Sequence, residues 1–380
     1  MSSPNPQGRK VLLAASMVSM VLGSIHAFSV FLEPLEATFE KSRATVSLIY
    51  SFSLVFLTIA VLFGPAIYSR LQPVTIYVWV TILGALGAGI AGVGGSLELA
   101  FIGYSLIFGL ANGLGYGFGL QFAARTNPKH AGLAMGVVTA AYALGAVLAP
   151  YGFEQALAFG GFSSAMIALG TVTIIVGVCA SLLVLRSGAQ FSHTKTKLNT
   201  SGLPMDRIAT IWIAYGSGVA AGLMAIGHAA GIAAAAGFPG WAAAATVAGC
   251  NLVGSLLSGW LSDKVSHRSL LTALPLLGAV ALLALSGFPA LTIALLGVVG
   301  FAYGGTIATY PAAIAKLFPG ENGPRAYGRI FTAWGLAGLL APWLAGQIYD
   351  LSGGYAPALW IAAALGVVSA ATARRNMSAV

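Results

Sequence analysis

The chain has 380 residues, of which only 7% are charged while 58% are hydrophobic. A water-soluble domain cannot cover its surface with so few charged side chains, because apolar patches of that size would aggregate. Together with a mean hydropathy of +0.89, this composition excludes the soluble classes and indicates a polytopic α-helical membrane protein. The net charge of +9 is expected to serve insertion and contact with lipid headgroups, and we expect no nucleic-acid partner.

Apolar runs of about 20 residues, the length that crosses a hydrocarbon core roughly 30 Å thick, recur about twelve times. The predicted spans are 11–33, 44–67, 74–95, 98–122, 131–154, 161–185, 207–233, 240–262, 269–287, 290–315, 325–349 and 356–373. A polar stretch separates the first six spans from the last six. We therefore expect an N-terminal half over 1–186, a cytoplasmic linker over 187–206 and a C-terminal half over 207–380.

The basic residues predict the orientation of the chain. If the N-terminus lies inside, all of the 18 Lys and Arg residues except Lys41 and Arg43 fall on inner segments. The positive-inside rule then places both termini and the linker in the cytoplasm, as in a multi-pass protein of a bacterial inner membrane. Cys179 and Cys250 both lie within predicted spans. Neither residue indicates a disulfide or a metal site, which would need clustered ligands.

The two halves resemble each other. Residues 136–150 and 328–342 share a Gly, an aromatic residue and an Ala-Pro pair at the same offsets, so that Tyr142 corresponds to Trp334, 192 residues later (334 − 142). Such self-similarity indicates an internal duplication. The predicted fold is an all-α membrane protein with twelve transmembrane helices in two pseudo-symmetric halves of six, an architecture that is typical of transporters.

A duplicated set of six helices with a cytoplasmic linker resembles the major facilitator superfamily. The loop signature of that family, Gly-x-x-x-Asp-Arg/Lys with a later basic residue, is intact after span eight, from Gly259 through Asp263 and Lys264 to Arg268. The first-half copy has Tyr68 where Asp is expected. The resemblance implies alternating access around a central site between spans one, four, seven and ten, with Asp263, Lys264 and Arg268 at an inner gate.

Shorter stretches are similar to the oxalate/formate antiporter and monocarboxylate transporter group. They are 23–35, 42–47, 332–335 and 349–353. This resemblance implies a small organic acid as the solute. The chain departs from the group at His26, where those transporters often have Tyr. It also departs in the middle of spans eight and eleven, where anion carriers tend to hold a basic residue and this chain has Asn251 and Trp334.

The middles of the predicted spans contain no Asp, Glu, Lys or Arg, so the candidate solute ligands are neutral or titratable groups. They are His26, Asn112, Tyr116, Tyr142, Asn251, Tyr303 and Trp334. An ordinary histidine has a pKa of about 6.5, so His26 could protonate, bind a carboxylate or carry a coupling proton. The alternative is a neutral His26 that only bonds to a neighbouring helix.

Three functions remain open. The chain has no Gly-x-x-x-x-Gly-Lys-Ser/Thr motif, so transport would be driven by a gradient. The first hypothesis is a transporter of a small organic acid, a monocarboxylate or a related organic acid. The second is a carrier of a neutral or aromatic solute such as a riboflavin-like vitamin, stacked among Tyr142, Tyr303 and Trp334. The third is a non-transporting sensor, which the lack of a long loop disfavours. We expect no enzymatic activity, no cofactor and no metal. The expected partners are the solute, a coupling proton or counter-anion, and membrane lipid. The protein is expected to be a monomer.

Overall fold

A computed structural model describes residues 6–41, 43–191 and 203–376. It is 90% helix, and no strand occurs in these residues. The prediction of an all-α membrane fold is confirmed.

Ten helical stretches within the described residues are long and apolar enough to cross a membrane. One of them, Pro128–Ser187, has 60 residues, and its backbone leaves the helical region at Gly160 and at Gly161, where φ is 68°. Each limb on either side of this break is long enough to cross a membrane, so the stretch accounts for predicted spans five and six. The eleventh predicted span lies in Asn322–Ser352, a helix of 31 residues whose hydropathy is diluted by Gly, Pro, Trp and Gln.

The chain forms two compact units. Unit 1 comprises Met1–Pro128 and Ala141–His193, and unit 2 comprises Lys129–Ala140 and Thr194–Val380. The long helix Ala131–Ser187 therefore contributes its first turns to unit 2 and the remainder to unit 1.

Unit 1 is built around a glycine-rich central helix. Its helices are α1 (Pro6–Gly23), α2 (Leu32–Phe39), α3 (Arg43–Tyr68), α4 (Pro73–Val93), α5 (Leu97–Ala100), α6 (Gly109–Thr126) and most of α7 (Ala131–Ser187). A π-helical stretch over Phe101–Phe108 joins α5 to α6. Helix α6 is buried along nearly its whole length and packs against α1, α3 and α4. Its small residues allow these helices to approach closely, which is how helices associate in lipid.

Helix α1 ends at Gly23 and continues as a 3₁₀ stretch over Ser24–Phe31. Tighter winding changes the direction of successive side chains and weakens the regular hydrogen-bond ladder. His26 lies in this stretch rather than in a regular helix.

Unit 2 has six long helices and one short one in its described residues. They are α8 (Met205–Ile226), α9 (Ala229–Ala235), α10 (Gly240–Ser262), α11 (His267–Leu285), α12 (Thr292–Leu317), α13 (Asn322–Ser352) and α14 (Ala356–Asn376). Helix α12 packs against α10 and α11, and α14 packs against α8 and α11. Leucine and alanine side chains such as Ala225, Leu282 and Leu296 fill the core, while Leu277 and Val280 are exposed, as expected for a surface in contact with lipid.

Candidate functional site

His26 lies at the centre of a group of aromatic and hydroxyl side chains in unit 1. Its Nδ1 atom is 2.7 Å from the hydroxyl of Tyr50 on α3, within hydrogen-bond distance. The rings of Tyr50 and Tyr142 meet the imidazole edge-on, with centroids at 6.1 Å and 5.5 Å. The imidazole is thus held by two helices, and the neighbours named here carry no formal charge.

Asn112 links Tyr142 to helix α1. The Tyr142 hydroxyl donates to Asn112 Oδ1 at 3.0 Å, and Asn112 Nδ2 donates to the Leu22 carbonyl at 2.6 Å. The side chain of Asn112 is fully buried, and these two bonds engage both ends of its amide. Tyr116 completes the arrangement, because its ring packs against that of Tyr142 with centroids 4.7 Å apart.

A close helix crossing brings these groups together. A side chain on Gly23 would overlap the backbone carbonyl of Tyr142, so only glycine permits α1 and α7 to touch here. His26 is three residues after Gly23 in the chain, and the close contact of the two helices places Tyr142 beside it.

We call His26, Tyr50, Asn112, Tyr116 and Tyr142 the N-terminal cluster. The structure brings together four of the predicted ligands and adds Tyr50, which the sequence prediction missed. Tyr50 lies near the start of predicted span two, where a Tyr is typical of the membrane interface, so no spacing distinguishes it. Chemically, the cluster offers hydroxyl donors around one group that can change its charge.

The corresponding aromatic residue of the second half forms a different contact. Trp334 donates from Nε1 to the Tyr303 hydroxyl at 3.1 Å and stacks on Phe331 with centroids 5.1 Å apart. His228 lies elsewhere in unit 2, with Nε2 at 2.9 Å from the Pro342 carbonyl. Tyr142 and Trp334 therefore make unlike contacts, although the sequences around them repeat.

Asn251 contributes to helix packing in unit 2. Its Oδ1 atom accepts from the Ser255 hydroxyl at 3.4 Å, and Ser255 also donates to the Gly304 carbonyl at 3.1 Å. These contacts join α10 to α12 next to Tyr303. Asn251, Tyr303 and Trp334 thus all belong to unit 2, and Tyr303 and Trp334 are bonded directly.

Asp263 caps the start of helix α7. Its Oδ1 accepts the backbone N–H of Gly132 at 2.8 Å, and its Oδ2 accepts that of Leu133 at 2.9 Å. These N–H groups belong to the first turn, which has no intrahelical acceptor for them. A carboxylate at this end is also favoured by the helix dipole. Both partners lie in unit 2, so the bonds tie the end of α10 to the first turn of α7.

The other two predicted gate residues occupy different positions. Lys264 places its Nζ 3.5 Å from the centre of the Trp260 ring, a cation–π contact. Arg268 lies in the first turn of α11, where its carbonyl accepts from Thr272 at 2.7 Å. Of these three predicted gate residues, Asp263 alone bonds to the start of α7 in the contacts that the structure describes.

Tyr68, which stands at the Asp position of the first-half loop, is buried in aromatic packing. Its hydroxyl donates to the Leu114 carbonyl at 3.3 Å, and its ring lies 5.1 Å from that of Phe118. Phe191 packs against the same two rings, and the Arg125 guanidinium lies 3.9 Å from the centre of the Phe191 ring. Tyr68 thus makes aromatic contacts and one hydrogen bond at the position where the loop signature has a charged residue.

Comparison with solved structures identifies the fold. The structure of the proton:xylose symporter XylE bound to 6-bromo-6-deoxy-D-glucose matches with a TM-score of 0.77 at 15% identity, covering 96% of this chain and 94% of that one. The fucose:proton symporter FucP of E. coli matches with a TM-score of 0.75 at 16% identity, covering 96% and 98%. The chain has the major facilitator fold.

The sequence supports the same conclusion over part of its length. Residues 207–376 match the sequence model of the Major Facilitator Superfamily. Over 345 residues, 86% of this chain and 85% of its relative, the chain is 24% identical to the uncharacterized MFS-type transporter YhjX of Escherichia coli (strain K12). The C-terminal part of the sequence is thus similar to this superfamily, and the solved structures show the same fold over nearly the whole chain.

Proposed function

We propose that this chain is a secondary active transporter of the major facilitator superfamily and that it carries a small organic acid, a monocarboxylate or a related acid. The observation that carries the proposal is the N-terminal cluster, in which the titratable imidazole of His26 lies 2.7 Å from one tyrosine hydroxyl and edge-on to a second tyrosine ring. A carboxylate in a low-dielectric site needs a positive charge or several donors. Protonated His26 supplies the charge, and the tyrosines supply donors.

The members of the N-terminal cluster have different roles. Asn112 has both ends of its amide engaged within the protein, so its role is to hold Tyr142 in place rather than to bind the solute. Residues that position a binding group act by limiting its rotamers. His26, Tyr50 and Tyr116 remain as the groups through which unit 1 contacts the acid.

Proton coupling follows from the same chemistry. A proton that enters with the anion neutralises its charge, which lowers the cost of moving it through a low-dielectric path. The two solved relatives described above are named as proton symporters, which is compatible with this mode. The protein would then use the proton gradient to accumulate its solute by alternating access.

We further propose that Asp263 stabilises one state of the transport cycle. Two charge-assisted bonds to the start of α7 hold that helix against the end of α10. A step that separates the two helix ends must break both bonds. Lys264 and Arg268 follow Asp263 in the chain and add positive charge near this contact.

A neutral aromatic solute is the second candidate, because Trp334, Phe331 and Tyr303 form a stacked aromatic group in unit 2. Such rings bind flat heteroaromatic molecules by stacking. Sugars, the solutes named for the two solved relatives, are a further neutral class for testing.

Uptake into proteoliposomes distinguishes these candidates. The purified protein is reconstituted and offered labelled lactate, formate, oxalate, riboflavin and xylose, with and without an inward proton gradient. We expect a monocarboxylate to accumulate, with a faster rate when the outside is acidic. Accumulation of riboflavin or xylose without any carboxylate would overturn the proposal in favour of a neutral solute, and no uptake from the whole panel would favour a sensor.

A further inference from the structure

The Tyr50 hydroxyl has one hydrogen-bond partner among the residues that the structure describes, the Nδ1 atom of His26 at 2.7 Å. The Tyr50 ring stacks on Phe28 with an interplanar angle of 11° and centroids 6.1 Å apart, which fixes the position of the hydroxyl. A half-buried hydroxyl whose hydrogen has no acceptor is unfavourable. With a neutral imidazole, the arrangement that satisfies both groups is donation from the Tyr50 hydroxyl into an unprotonated Nδ1.

This arrangement fixes the tautomer of the ring. If Nδ1 accepts, the single proton of neutral His26 must reside on Nε2. In the contacts between described residues, the other titratable groups near the imidazole are tyrosines: Tyr142 of α7 directly, Tyr116 of α6 behind it, and Tyr104 of the π-helical stretch behind Phe28.

Protonation reverses the direction of the bond. When a proton binds Nδ1, that nitrogen becomes a donor, and the only group it can donate to in this contact is the Tyr50 oxygen. The hydroxyl hydrogen must then rotate away from the ring and needs a new acceptor. One proton is taken up, no covalent bond other than N–H forms, and a hydroxyl donor becomes available beside a new positive charge.

We propose that Tyr50 couples proton uptake at His26 to anion binding, by releasing its hydroxyl to donate to a carboxylate only when the imidazole is protonated. This inference rests on the proposed function and deepens it. It makes Tyr50 a solute-binding residue whose availability depends on the charge of its neighbour. It also accounts for co-transport, since the proton and the anion each create the partner that the other needs.

Two Tyr→Phe substitutions test the coupling. Tyr50→Phe removes the proposed donor and keeps the ring that stacks on Phe28. Tyr104→Phe is the matched control, because its ring also packs on Phe28 while its hydroxyl donates to the backbone carbonyl of Ile25 at 3.4 Å. The first readout is the KM for the transported monocarboxylate at acidic and at alkaline pH.

With Tyr50→Phe, we expect the KM at acidic pH to rise about tenfold or more, the effect of losing a hydrogen bond to a charged group, and to change less at alkaline pH. Tyr104→Phe should change the KM by less than about twofold at either pH. An equal effect of Tyr50→Phe at both pH values, or none at either, would overturn the coupling.

The second readout does not depend on transport. Nitrogen-15 NMR of histidine-labelled protein in lipid reports which ring nitrogen carries the proton, and the His26 signals are assigned by their loss in His26→Gln. At alkaline pH we expect the proton on Nε2 in the wild type and in Tyr104→Phe, and a tautomer ratio shifted about fivefold toward Nδ1–H in Tyr50→Phe. A wild type with its proton on Nδ1, or a ratio that Tyr50→Phe leaves unchanged, would refute the coupling even if no solute of the panel is transported.

Discussion

The carboxylate of Asp263 caps Gly132, with its Oδ1 atom 2.8 Å from the backbone nitrogen. The two residues are 131 positions apart in the chain, and the contact joins the end of α10 to the start of α7. Helix caps normally come from the residue just before the helix. A cap supplied by another helix can be released without unfolding either helix, and the gating role proposed for Asp263 depends on this.

Asp263→Asn should slow transport about tenfold. The substitution removes the charge that favours the helix start and leaves one oxygen to accept where two accepted before, a loss of roughly 1–2 kcal/mol from the capped state. Initial uptake rates in proteoliposomes measure the effect. The control is Tyr68→Phe at the corresponding first-half position, which loses one 3.3 Å bond and should change the rate less than about threefold. Equal, mild effects of both substitutions would show that Asp263 has no gating role.

Gly259→Val should lower the melting temperature of the protein in detergent. A Cβ on Gly259 would lie 2.6 Å from the Cα of Gly136, which the backbone cannot accommodate without moving. Overpacking of this kind costs about 1–3 kcal/mol. Gly249→Val in the same helix is the control, since a Cβ there meets nothing within 4 Å. Two variants with the same melting temperature would mean that this close helix contact is not formed.

Trp334→Phe should reduce carboxylate uptake by at most about fivefold, the effect of losing one neutral hydrogen bond to Tyr303. The phenyl ring keeps an aromatic surface for stacking on Phe331. Trp212→Phe is a matched control, because Trp212 also donates from Nε1 to a hydroxyl, that of Thr332 at 2.9 Å. Complete loss of uptake with Trp334→Phe alone would assign the solute contact to unit 2 and favour the aromatic class.

A cytoplasmic reporter fused after Val380 should be active, and a periplasmic reporter fused at the same point should be inactive. The reason is the distribution of Lys and Arg, of which only Lys41 and Arg43 fall outside in the predicted topology. Paired fusions of a cytoplasmic and a periplasmic reporter measure the orientation. Activity of the periplasmic reporter alone would invert the predicted topology.

The fold could be predicted from sequence because lipid imposes one length on every span. Apolar runs of that length mark the helices, and the repeat of Tyr142 as Trp334 shows the duplication. The ends and breaks were harder to predict. Gly160 and Gly161, at the predicted start of span six, interrupt what is otherwise one long helix, and His26 lies in a 3₁₀ stretch that no change in hydropathy marks.

The candidate site could be predicted only in part, because hydropathy identifies polar residues within spans but not their partners. Asn112 stays a predicted solute ligand, and the structure adds its partners, the Tyr142 hydroxyl and the Leu22 carbonyl, which hydropathy does not reveal. Tyr50 was overlooked because a tyrosine near the end of a span is common at the membrane interface. Its importance depends on a bond to a residue on another helix, which no local pattern encodes.

The central claim is that His26 supplies the positive charge that binds the carboxylate. The most direct test is monocarboxylate uptake by the His26→Gln protein between about pH 5.5 and 7.5. This range brackets the pKa of an ordinary histidine. His228→Gln serves as the control, because that imidazole bonds to the Pro342 carbonyl in unit 2. We predict that His26→Gln abolishes uptake throughout this range, while His228→Gln retains uptake and its pH dependence. A His26→Gln protein with full uptake and an unchanged pH dependence would contradict the account.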